Sequence, residues 1–262
     1  MNISKTLISA TILVISATAN AEDSQLAQIF HNNHINGTIV ISSLEGDIEY
    51  IHNDSRAEKR FLPASTFKIP NTLIALSEKA VINKSEIIKW DGKDKGWSPW
   101  NQDHSLETAF PVSCIWFYQE LAKRVGKDSY TSYLTTLNYG NKQTGDDISN
   151  FWLEGDLKIS AKEQVSFLKK LYKDELPFQQ SDIDALKELM LVKKTADYEL
   201  RAKSGWANRI KNQHGWYVGY VKNAHDVWFF ATNINITNKS DARYRQKLTS
   251  QALAIKGIIP SS

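Results

Sequence analysis

The period of the apolar residues changes along this chain from strand-like to helix-like and back to strand-like, and this change strongly constrains the fold. Residues 37–42 are short and rich in β-branched side chains, and residues 48–51 alternate between apolar and polar. Between them, residues 45–47 (Glu-Gly-Asp) have the composition of a turn. The N-terminal segment therefore predicts a β-hairpin.

A second strand-like region lies near the C-terminus. Three segments have a period of two, with turn-like K-N-Q-H-G and K-N-A-H-D sequences between them: residues 198–207, 216–221 and 227–235. Successive strands with short connections indicate an antiparallel meander. The chain then closes with a predicted helix from about Asp241 to Lys256.

Helical signals dominate between these two regions. Ser160 and Glu163 have the spacing of a capping box ahead of an amphipathic run, and Ser181 and Asp184 repeat the pattern. This arrangement predicts an α+β fold, in which N- and C-terminal strands form one antiparallel sheet flanked by terminal helices and a mainly helical lobe is inserted. A cleft between sheet and lobe is the expected place for a functional site.

The first 21 residues have the order of a secretory signal peptide. Lys5 is followed by an apolar run, then by small residues ending at Ala21, and the chain then becomes acidic. We expect cleavage after Ala21, which leaves a charged new terminus, with Ala19 as the alternative site. The apolar run is too short for a stable membrane span. A buried N-terminal helix is the competing interpretation.

No repeat or low-complexity linker divides the remaining chain, so residues 22–262 are expected to form a single domain. Its sheet lobe would comprise residues of about 22–60 and 196–262, and its helical lobe residues of about 61–195. No later segment approaches a membrane span. We therefore expect a periplasmic or secreted protein without a membrane anchor after cleavage, as a monomer or a homodimer.

Charge and cysteine content argue against several other functions. The chain has 32 Lys and Arg residues against 29 Asp and Glu residues, without a clustered basic stripe. Nucleic acid is therefore not an expected partner. Cys114 is the single cysteine, so no internal disulfide can form.

The stretch P-A-S-T-F-K-I-P places Ser65 and Lys68 three residues apart, on one side of a helix. Pro63 suits the first turn, which would put Ser65 near a helix N-terminus, where backbone N–H groups favour a developing anion. Pro70 conflicts with this helix because it lacks an N–H and disfavours helical angles at the residue before it.

The spacing of this pair is not specific by itself. Ser166 and Lys169 repeat it within an ordinary amphipathic helix pattern. Ser65 and Lys68 can be a nucleophile and its base, or two ordinary residues on one face of a helix. The spacing does not distinguish these interpretations, so other parts of the site are needed to choose between them.

A second candidate stretch is K-S-G-W, on the first strand of the C-terminal meander. Lys203 and Ser204 can bind a substrate carboxylate, and Gly205 allows a ligand to lie against the backbone. The backbone N–H of Trp206 is a further donor. The alternative is an exposed edge strand that is protected by a charge.

A third stretch, Ser113-Cys114-Ile115, opens a helical and aromatic-rich segment. Alone it is typical of a helix cap beside a buried cysteine. The three stretches together, in this order, resemble the S-x-x-K, S-x-[NV] and K-[ST]-G motifs of the serine penicillin-recognising enzymes.

The finer resemblance is to class D, or oxacillinase-type, β-lactamases, and it spans essentially the whole mature chain. Ile115 stands where the family usually has valine, and Ser204 where it usually has threonine. Both changes keep the chemistry and can shift substrate preference. The resemblance rests mainly on Pro63 to Leu76, Tyr139-Gly140-Asn141, Phe151-Trp152-Leu153 and Arg201 to Trp206.

This resemblance implies hydrolysis of the β-lactam amide bond by acylation of Ser65, conferring resistance to penicillin-type antibiotics. It also implies that neutral Lys68 takes up carbon dioxide, from bicarbonate, to form a carbamate that serves as the base for acylation and deacylation. Trp152 would hold this modified side chain by its indole N–H. Phe67, Ile115 and Leu153 would form the apolar wall of that pocket.

The remaining expected roles concern the substrate. Ser113 would relay a proton to the leaving nitrogen, and the backbone N–H groups of Ser65 and Trp206 are candidates for the oxyanion hole. The substrate carboxylate would meet the K-S-G-W strand, residues 203–206, together with Arg245, which occupies the family's position for a guanidinium. Arg243 is a weaker candidate because it lies two residues away on the helix.

No cofactor other than carbon dioxide is expected, and no metal. His31 and His34 have a ligand-like spacing, but they lie in a polar segment without further ligands. Two other functions share these motifs: a β-lactam sensor domain that stays acylated, and a cell-wall transpeptidase or carboxypeptidase. Turnover of a β-lactam distinguishes the hydrolase from the sensor.

Overall fold

The structure, a computed structural model, describes residues 22–261, so the predicted signal peptide lies outside the described residues. Within that range the chain forms nine α-helices and six β-strands. The helices are α1 (Ser24–Asn32), α2 (Asp54–Glu58), α3 (Lys68–Ser77), α4 (Leu106–Ala109), α5 (Ile115–Val125), α6 (Lys127–Thr136), α7 (Ala161–Tyr172), α8 (Gln180–Leu189) and α9 (Tyr244–Ile255). The strands are β1 (Gly37–Ser43), β2 (Glu49–His52), β3 (Leu191–Lys194), β4 (Tyr198–Ala207), β5 (His214–Asn223) and β6 (Val227–Asn235).

All six strands form one antiparallel sheet in the order β2-β1-β6-β5-β4-β3. The predicted hairpin and meander are both present. They join where β1 pairs with β6, from Gly37 opposite Ile234 to Ser43 opposite Trp228. The prediction of an α+β fold with a sheet assembled from both ends of the chain is therefore confirmed.

The sheet is covered on both faces, and the alternation of side chains shows how. Val40 packs in the core that faces the helical lobe, whereas its neighbours Ile39 and Ile41 pack in a second core on the opposite face. The terminal helices α1 and α9 contribute to that second core and contact each other. Because side chains alternate across a strand, β1 is buried along its whole length.

The helical lobe agrees with the sequence in some details and differs in others. Ser160 and Glu163 form the predicted capping box at the start of α7. The helix α8 is capped at Gln179, so Ser181 lies inside it and the prediction of a second box at that serine is wrong. The last helix is shorter than predicted, because residues Lys239–Arg243 form a 3₁₀ turn before α9 begins.

One strand was missed by the sequence analysis, which assigned residues up to 195 to the helical lobe. Leu191–Lys194 instead forms β3 and pairs with β4 at the edge of the sheet. All four residues of β3 are exposed, so the strand lacks the alternation of buried and exposed residues by which strands are recognised. Tertiary pairing with β4 decides its conformation.

Candidate active site

The segment that carries Ser65 changes from one helix type to another. Residues Ala64–Phe67 form a 3₁₀ helix, and α3 begins at the next residue, Lys68. Pro70 therefore lies in the first turn of α3, where proline is tolerated. The predicted conflict between Pro70 and a helix is wrong for this reason.

Two non-glycine residues beside the site have left-handed backbone angles. The φ angle is 48° at Ala64 and 54° at Ser113. Such conformations cost on the order of 1 kcal/mol each, and they persist where surrounding contacts hold them. The Ala64 N–H donates to the Trp152 carbonyl at 2.9 Å, and the Ser113 N–H donates to the Phe110 carbonyl at 3.2 Å. Left-handed backbone thus occurs at Ser113 and at the residue before Ser65.

Lys68 is buried, with 1% of its surface exposed. Its Nζ donates to Ser65 Oγ at 3.1 Å and lies 4.8 Å from the centroid of the Tyr118 ring. Burial lowers the pKa of Lys68 well below its ordinary value, and the nearby positive charge of Lys203 lowers it further. The neutral amine that a base requires is therefore favoured at this position.

The indole N–H of Trp152 is buried and has no hydrogen-bond partner among the described residues. The Trp152 ring stacks on Phe67, with the ring centroids 5.6 Å apart, and Leu153 is also buried. An unpaired buried donor costs about 1–3 kcal/mol, so it calls for an acceptor. A carboxylate on Lys68 is an acceptor of the required kind, and the residues present therefore fit the implied carbamate.

Ser113 and Lys203 come together from opposite sides of the cleft. Ser113 precedes α5 and Lys203 lies on β4, yet Lys203 Nζ donates to Ser113 Oγ at 2.5 Å. Lys203 is buried, and its ammonium group lies 5.4 Å from the centroid of the Phe110 ring. Burial, with a smaller effect from the charge of Arg245, lowers the pKa of Lys203 to about 7. The proton on this lysine is therefore mobile near neutral pH.

Gly205 lets β4 lie against the 3₁₀ turn that carries Ser65. A Cβ atom at Gly205 would come within 3.0 Å of the Pro63 carbonyl and 3.2 Å of the Thr66 nitrogen. Because of this close approach, Ser204 and Trp206, on either side of Gly205, line the same cavity as Ser65. A side chain at position 205 would push β4 away from the nucleophile.

Arg245 reaches the same strand from α9. Its Nη1 donates to the Gly205 carbonyl at 2.7 Å and its Nε donates to the Ala242 carbonyl at 2.6 Å. A Cβ atom at Gly215 would lie only 2.4 Å from Arg245 Cδ, so the side chain depends on that glycine. Burial lowers the pKa of Arg245 to about 10. The guanidinium is thus fixed beside the cavity, with some of its donors already used.

A cavity of about 270 Å³ joins most of the predicted residues. Five of its lining residues are not among those that the sequence motifs predict. The tryptophans Trp97 and Trp100 form a T-shaped pair, and Trp100 Nε1 donates to the Val112 carbonyl at 3.0 Å. The lining residues are Ser65, Trp97, Trp100, Pro111, Val112, Ser113, Ile115, Ser204, Gly205, Trp206, Asn208 and Arg245.

Several other candidates lie outside this cavity. Arg243 is exposed, with its guanidinium 5.1 Å from the centroid of the Tyr244 ring. His31 and His34 lie at the end of α1, and no group of three or more His, Cys, Asp or Glu residues in positions 22–261 could hold a metal ion. In the same range, no helix is long and apolar enough to cross a membrane.

A larger cavity, of about 600 Å³, lies between residues 87–95 and α5. Lys95, Glu120 and Arg124 are among the charged residues that line it, and none of the predicted site residues does. It contains no serine or cysteine that could act as a nucleophile. Size alone therefore does not identify the site in this molecule.

Comparison with known proteins agrees with this geometry. The family model of the penicillin-binding protein transpeptidase domain matches residues 15–254. The chain is 39% identical to β-lactamase OXA-48 of Klebsiella pneumoniae, covering 86% of this chain and 84% of the relative. It is also 39% identical to β-lactamase OXA-20 of Pseudomonas aeruginosa, covering 94% and 93%.

Solved structures give the same result. The class D β-lactamase FUS-1 (OXA-85) of Fusobacterium nucleatum subsp. polymorphum superposes with a TM-score of 0.88 at 36% identity, covering 91% of this chain and 99% of that one. The class D β-lactamase YbXI from Nostoc gives 0.87 at 40% identity, covering 88% and 98%. Fold, motifs and relatives agree, and this chain belongs to the class D serine β-lactamases, a metal-independent class within the penicillin-binding transpeptidase-domain family.

Proposed function

We propose that this protein hydrolyses the β-lactam amide bond of penicillin-type antibiotics with Ser65 as the nucleophile, and so confers resistance to them. The observation that carries the proposal is the 3.1 Å contact between Ser65 Oγ and the Nζ of Lys68, a buried lysine with no ion pair to a carboxylate among residues 22–261. Ser65 Oγ bonds to the lactam carbonyl carbon, the C–N bond breaks and its nitrogen takes up a proton. Water then hydrolyses the acyl ester and restores Ser65.

Lys68 provides the base in this proposal. Burial favours its neutral amine, which can accept a proton and can also take up carbon dioxide. The unpaired Trp152 N–H would hold the added carboxylate, with Phe67, Leu153 and Ile115 as apolar neighbours. A carboxylated lysine supplies an anionic base for both acylation and deacylation.

Ser113 and Lys203 are proposed to deliver the proton to the departing nitrogen. Their contact of 2.5 Å places an ammonium group directly behind the Ser113 hydroxyl. Because the pKa of Lys203 is about 7, this group can lose a proton to Ser113 and recover it from solvent near neutral pH. Ser113 itself lines the cavity, as the relay requires.

Charge on the substrate is stabilised by two further sets of groups in this proposal. The backbone N–H groups of Ser65 and Trp206 form the oxyanion hole, where each donor is typically worth about 3 kcal/mol. Lys203, Ser204 and Arg245 bind the substrate carboxylate. The contact of Gly205 with the Ser65 turn supports both roles, because it holds strand and nucleophile together.

Turnover tests the proposal against a sensor that stays acylated. Mature protein is mixed with an excess of a chromogenic cephalosporin in bicarbonate buffer, and product is compared with enzyme. We expect many product molecules per protein. A single burst equal to the protein concentration, unchanged by bicarbonate, would contradict hydrolysis and favour the sensor.

We also propose that the protein is exported, with cleavage of residues 1–21, and acts in the periplasm or outside the cell as a monomer or homodimer. The order of charge, apolar run and small residues supports export. N-terminal sequencing of the exported protein should begin at Glu22. A mature protein that begins at Met1 would contradict cleavage.

A further inference from the structure

A third cavity, of about 420 Å³, lies between α2, the segment that leads to Ser65, and the loop that joins β4 to β5. None of its lining residues lines the cavity at Ser65. Four of them are cations, Arg56, Lys59, Arg60 and Lys158, and none is an acid. The cavity is therefore a positively charged region distinct from the proposed catalytic site.

Arg56 is the most enclosed of these cations. Its Nη2 donates to Asn233 Oδ1 at 2.6 Å and to Asn235 Oδ1 at 2.8 Å, both of which are neutral acceptors. No carboxylate of residues 22–261 lies within ion-pair distance of its guanidinium, and burial lowers the pKa of Arg56 to about 10. The positive charge of Arg56 is therefore hydrogen-bonded to neutral groups but is not balanced by a carboxylate among the described residues.

Two lysines at the cavity also lack ion pairs within the described part of the chain. Lys59 and Lys158 are both exposed. The positive charges of Arg56 and Lys59 both lie near the Phe61 ring. Arg56 Cζ is 4.6 Å and Lys59 Nζ is 5.6 Å from the centroid of that ring. Arg60 differs, since Glu163 binds its guanidinium through Nη2 at 2.5 Å. Three of the four cations are thus uncompensated.

A groove on α7 that is lined by Lys162, Lys169, Lys170 and Lys173 provides an internal comparison. Lys162 pairs there with Asp54 at 2.7 Å, and Lys173 pairs with Glu45 at 3.2 Å. Carboxylates therefore neutralise much of that groove, whereas the cavity at Arg56 keeps its charge. Each region is lined by four Lys or Arg residues, so the number of cations does not distinguish them, but their acidic partners do.

We propose that the cavity at Arg56 binds a multivalent oxyanion of the phosphate class. Nε and Nη2 of Arg56 already donate to Asn233 and Asn235, so its Nη1 carries the N–H donors that are left for an anion among the described residues. The two exposed lysines add charge at the cavity mouth. Asn212 and Asn235 also line the cavity, and their side-chain amides are neutral donors. Helix α2 and the β-sheet hold Arg56 and Asn235 in place before any ligand arrives.

Calorimetric titration of the mature protein with inorganic pyrophosphate at low ionic strength tests the proposal. We expect one saturable site with a dissociation constant in about the millimolar range or below. The double variant Lys59→Gln/Lys158→Gln should bind roughly tenfold more weakly, because two charges that face the anion are removed. Both residues are exposed, so the fold should be retained, which circular dichroism checks.

Lys170→Gln serves as the matched control, since it removes a lysine from the groove on α7. It should leave pyrophosphate binding unchanged within about twofold. Arg56→Lys, which keeps the charge but loses the fork, should weaken binding severalfold. Absence of saturable binding to the wild-type protein, or equal weakening by Lys170→Gln, would overturn the proposal.

Co-sedimentation with phosphatidylglycerol vesicles distinguishes two sources of the phosphate group, a lipid headgroup and a soluble phosphate. Co-sedimentation that pyrophosphate displaces, and that the double lysine variant lacks, would identify a lipid headgroup as the source. Pyrophosphate binding without vesicle binding would identify a soluble phosphate. Both outcomes support the site at Arg56.

Discussion

Two Ser-x-x-Lys pairs with the same spacing occur in this chain, and their lysines bind different serines in the structure. Lys68 is buried and donates to its own serine, Ser65, at 3.1 Å. Ser166 is exposed on α7, and Lys169 instead donates to Ser42 on β1 at 3.0 Å. Identical spacing on a helix therefore produces a serine–lysine contact at only one of the two positions.

The electrostatic surroundings separate the two lysines further. Burial lowers the pKa of both, but the carboxylate of Glu49 opposes this effect at Lys169. At Lys68, the main neighbouring charge is Lys203, which lowers the pKa further. A base that must be neutral near pH 7 needs burial without an acidic partner, and of the lysines in these two pairs Lys68 has that environment.

Replacement of the serines should give the largest contrast. Ser65→Ala is expected to lower kcat by at least about 10⁴-fold, because the acyl-enzyme can no longer form. Ser166→Ala should leave kcat within about twofold, since its side chain faces solvent. Mass spectrometry of the protein trapped with a slow β-lactam should place the acyl group on Ser65; acylation at Ser166 would reverse the assignment.

Replacement of the lysines should give the next largest contrast. Lys68→Ala is expected to lower turnover by about 10²–10⁴-fold, the usual contribution of a general base. The matched variant Lys169→Ala removes the contact with Ser42 and should affect stability more than turnover. Steady-state hydrolysis of a chromogenic cephalosporin measures the turnover of both variants, and thermal melts measure their stability. Similar rate losses in both would contradict the distinction.

The unpaired tryptophan donor should matter less than the lysine it is proposed to serve. Trp152→Phe keeps an aromatic ring but removes the N–H, and deacylation should slow by roughly 10–100-fold, the value of one hydrogen bond to a charged group. Added bicarbonate should restore part of the rate. Trp228→Phe, on the opposite face of the sheet, is the control. Unchanged deacylation in Trp152→Phe would remove this indole from the mechanism.

The pH dependence compares Lys68 with Lys203 and should show the smallest effect. The pKa of Lys203 is about 7, so its positive charge is present below that pH and is lost as pH rises. The attraction for a substrate carboxylate weakens accordingly, and KM should rise roughly three- to tenfold between about pH 7 and about pH 9. Lys68 must be a neutral amine before it can take up carbon dioxide, and its carboxylated form must stay anionic to act as the base, so kcat should instead fall on the acid side.

Lys203→Arg tests this assignment, because arginine stays protonated throughout the range. The variant should lose the rise in KM at alkaline pH even if its absolute activity is lower. Initial rates with one carboxylate-bearing substrate, taken across the pH range, give the KM of the wild-type protein and of the variant at each pH. A rise in KM that persists in Lys203→Arg would assign the alkaline limb to another group.

Much of the fold was predictable because it depends on local pattern. The hairpin, the meander and the Ser160 capping box all follow from turn residues and periodicity that act over a few residues. The strand β3 was missed because its four exposed residues have no alternation. Pairing with β4, which is a long-range contact, supplies the missing information.

The site was predictable in its residue types but not in its geometry. Motifs pointed to Ser65, Lys68 and Lys203, whereas the left-handed backbone at Ala64 and Ser113 gave no signal in the sequence. The Ala64 N–H is bonded to a distant part of the chain, the Trp152 carbonyl, whereas the Ser113 N–H is bonded to the nearby Phe110 carbonyl. The cavity walls at Trp97 and Trp100 likewise depend on a loop whose shape one sequence does not reveal.

The sequence by itself determined the α+β class, the order of the motifs and the chemical groups available, because period, turn chemistry and side-chain identity are local properties. Tertiary structure decided which of two identical Ser-x-x-Lys pairs has a contact between serine and lysine. It also decided that the Trp152 N–H has no hydrogen-bond partner within residues 22–261. Burial and neighbouring charge come from the whole fold, and these two quantities set the pKa of Lys68 and therefore its suitability as a base.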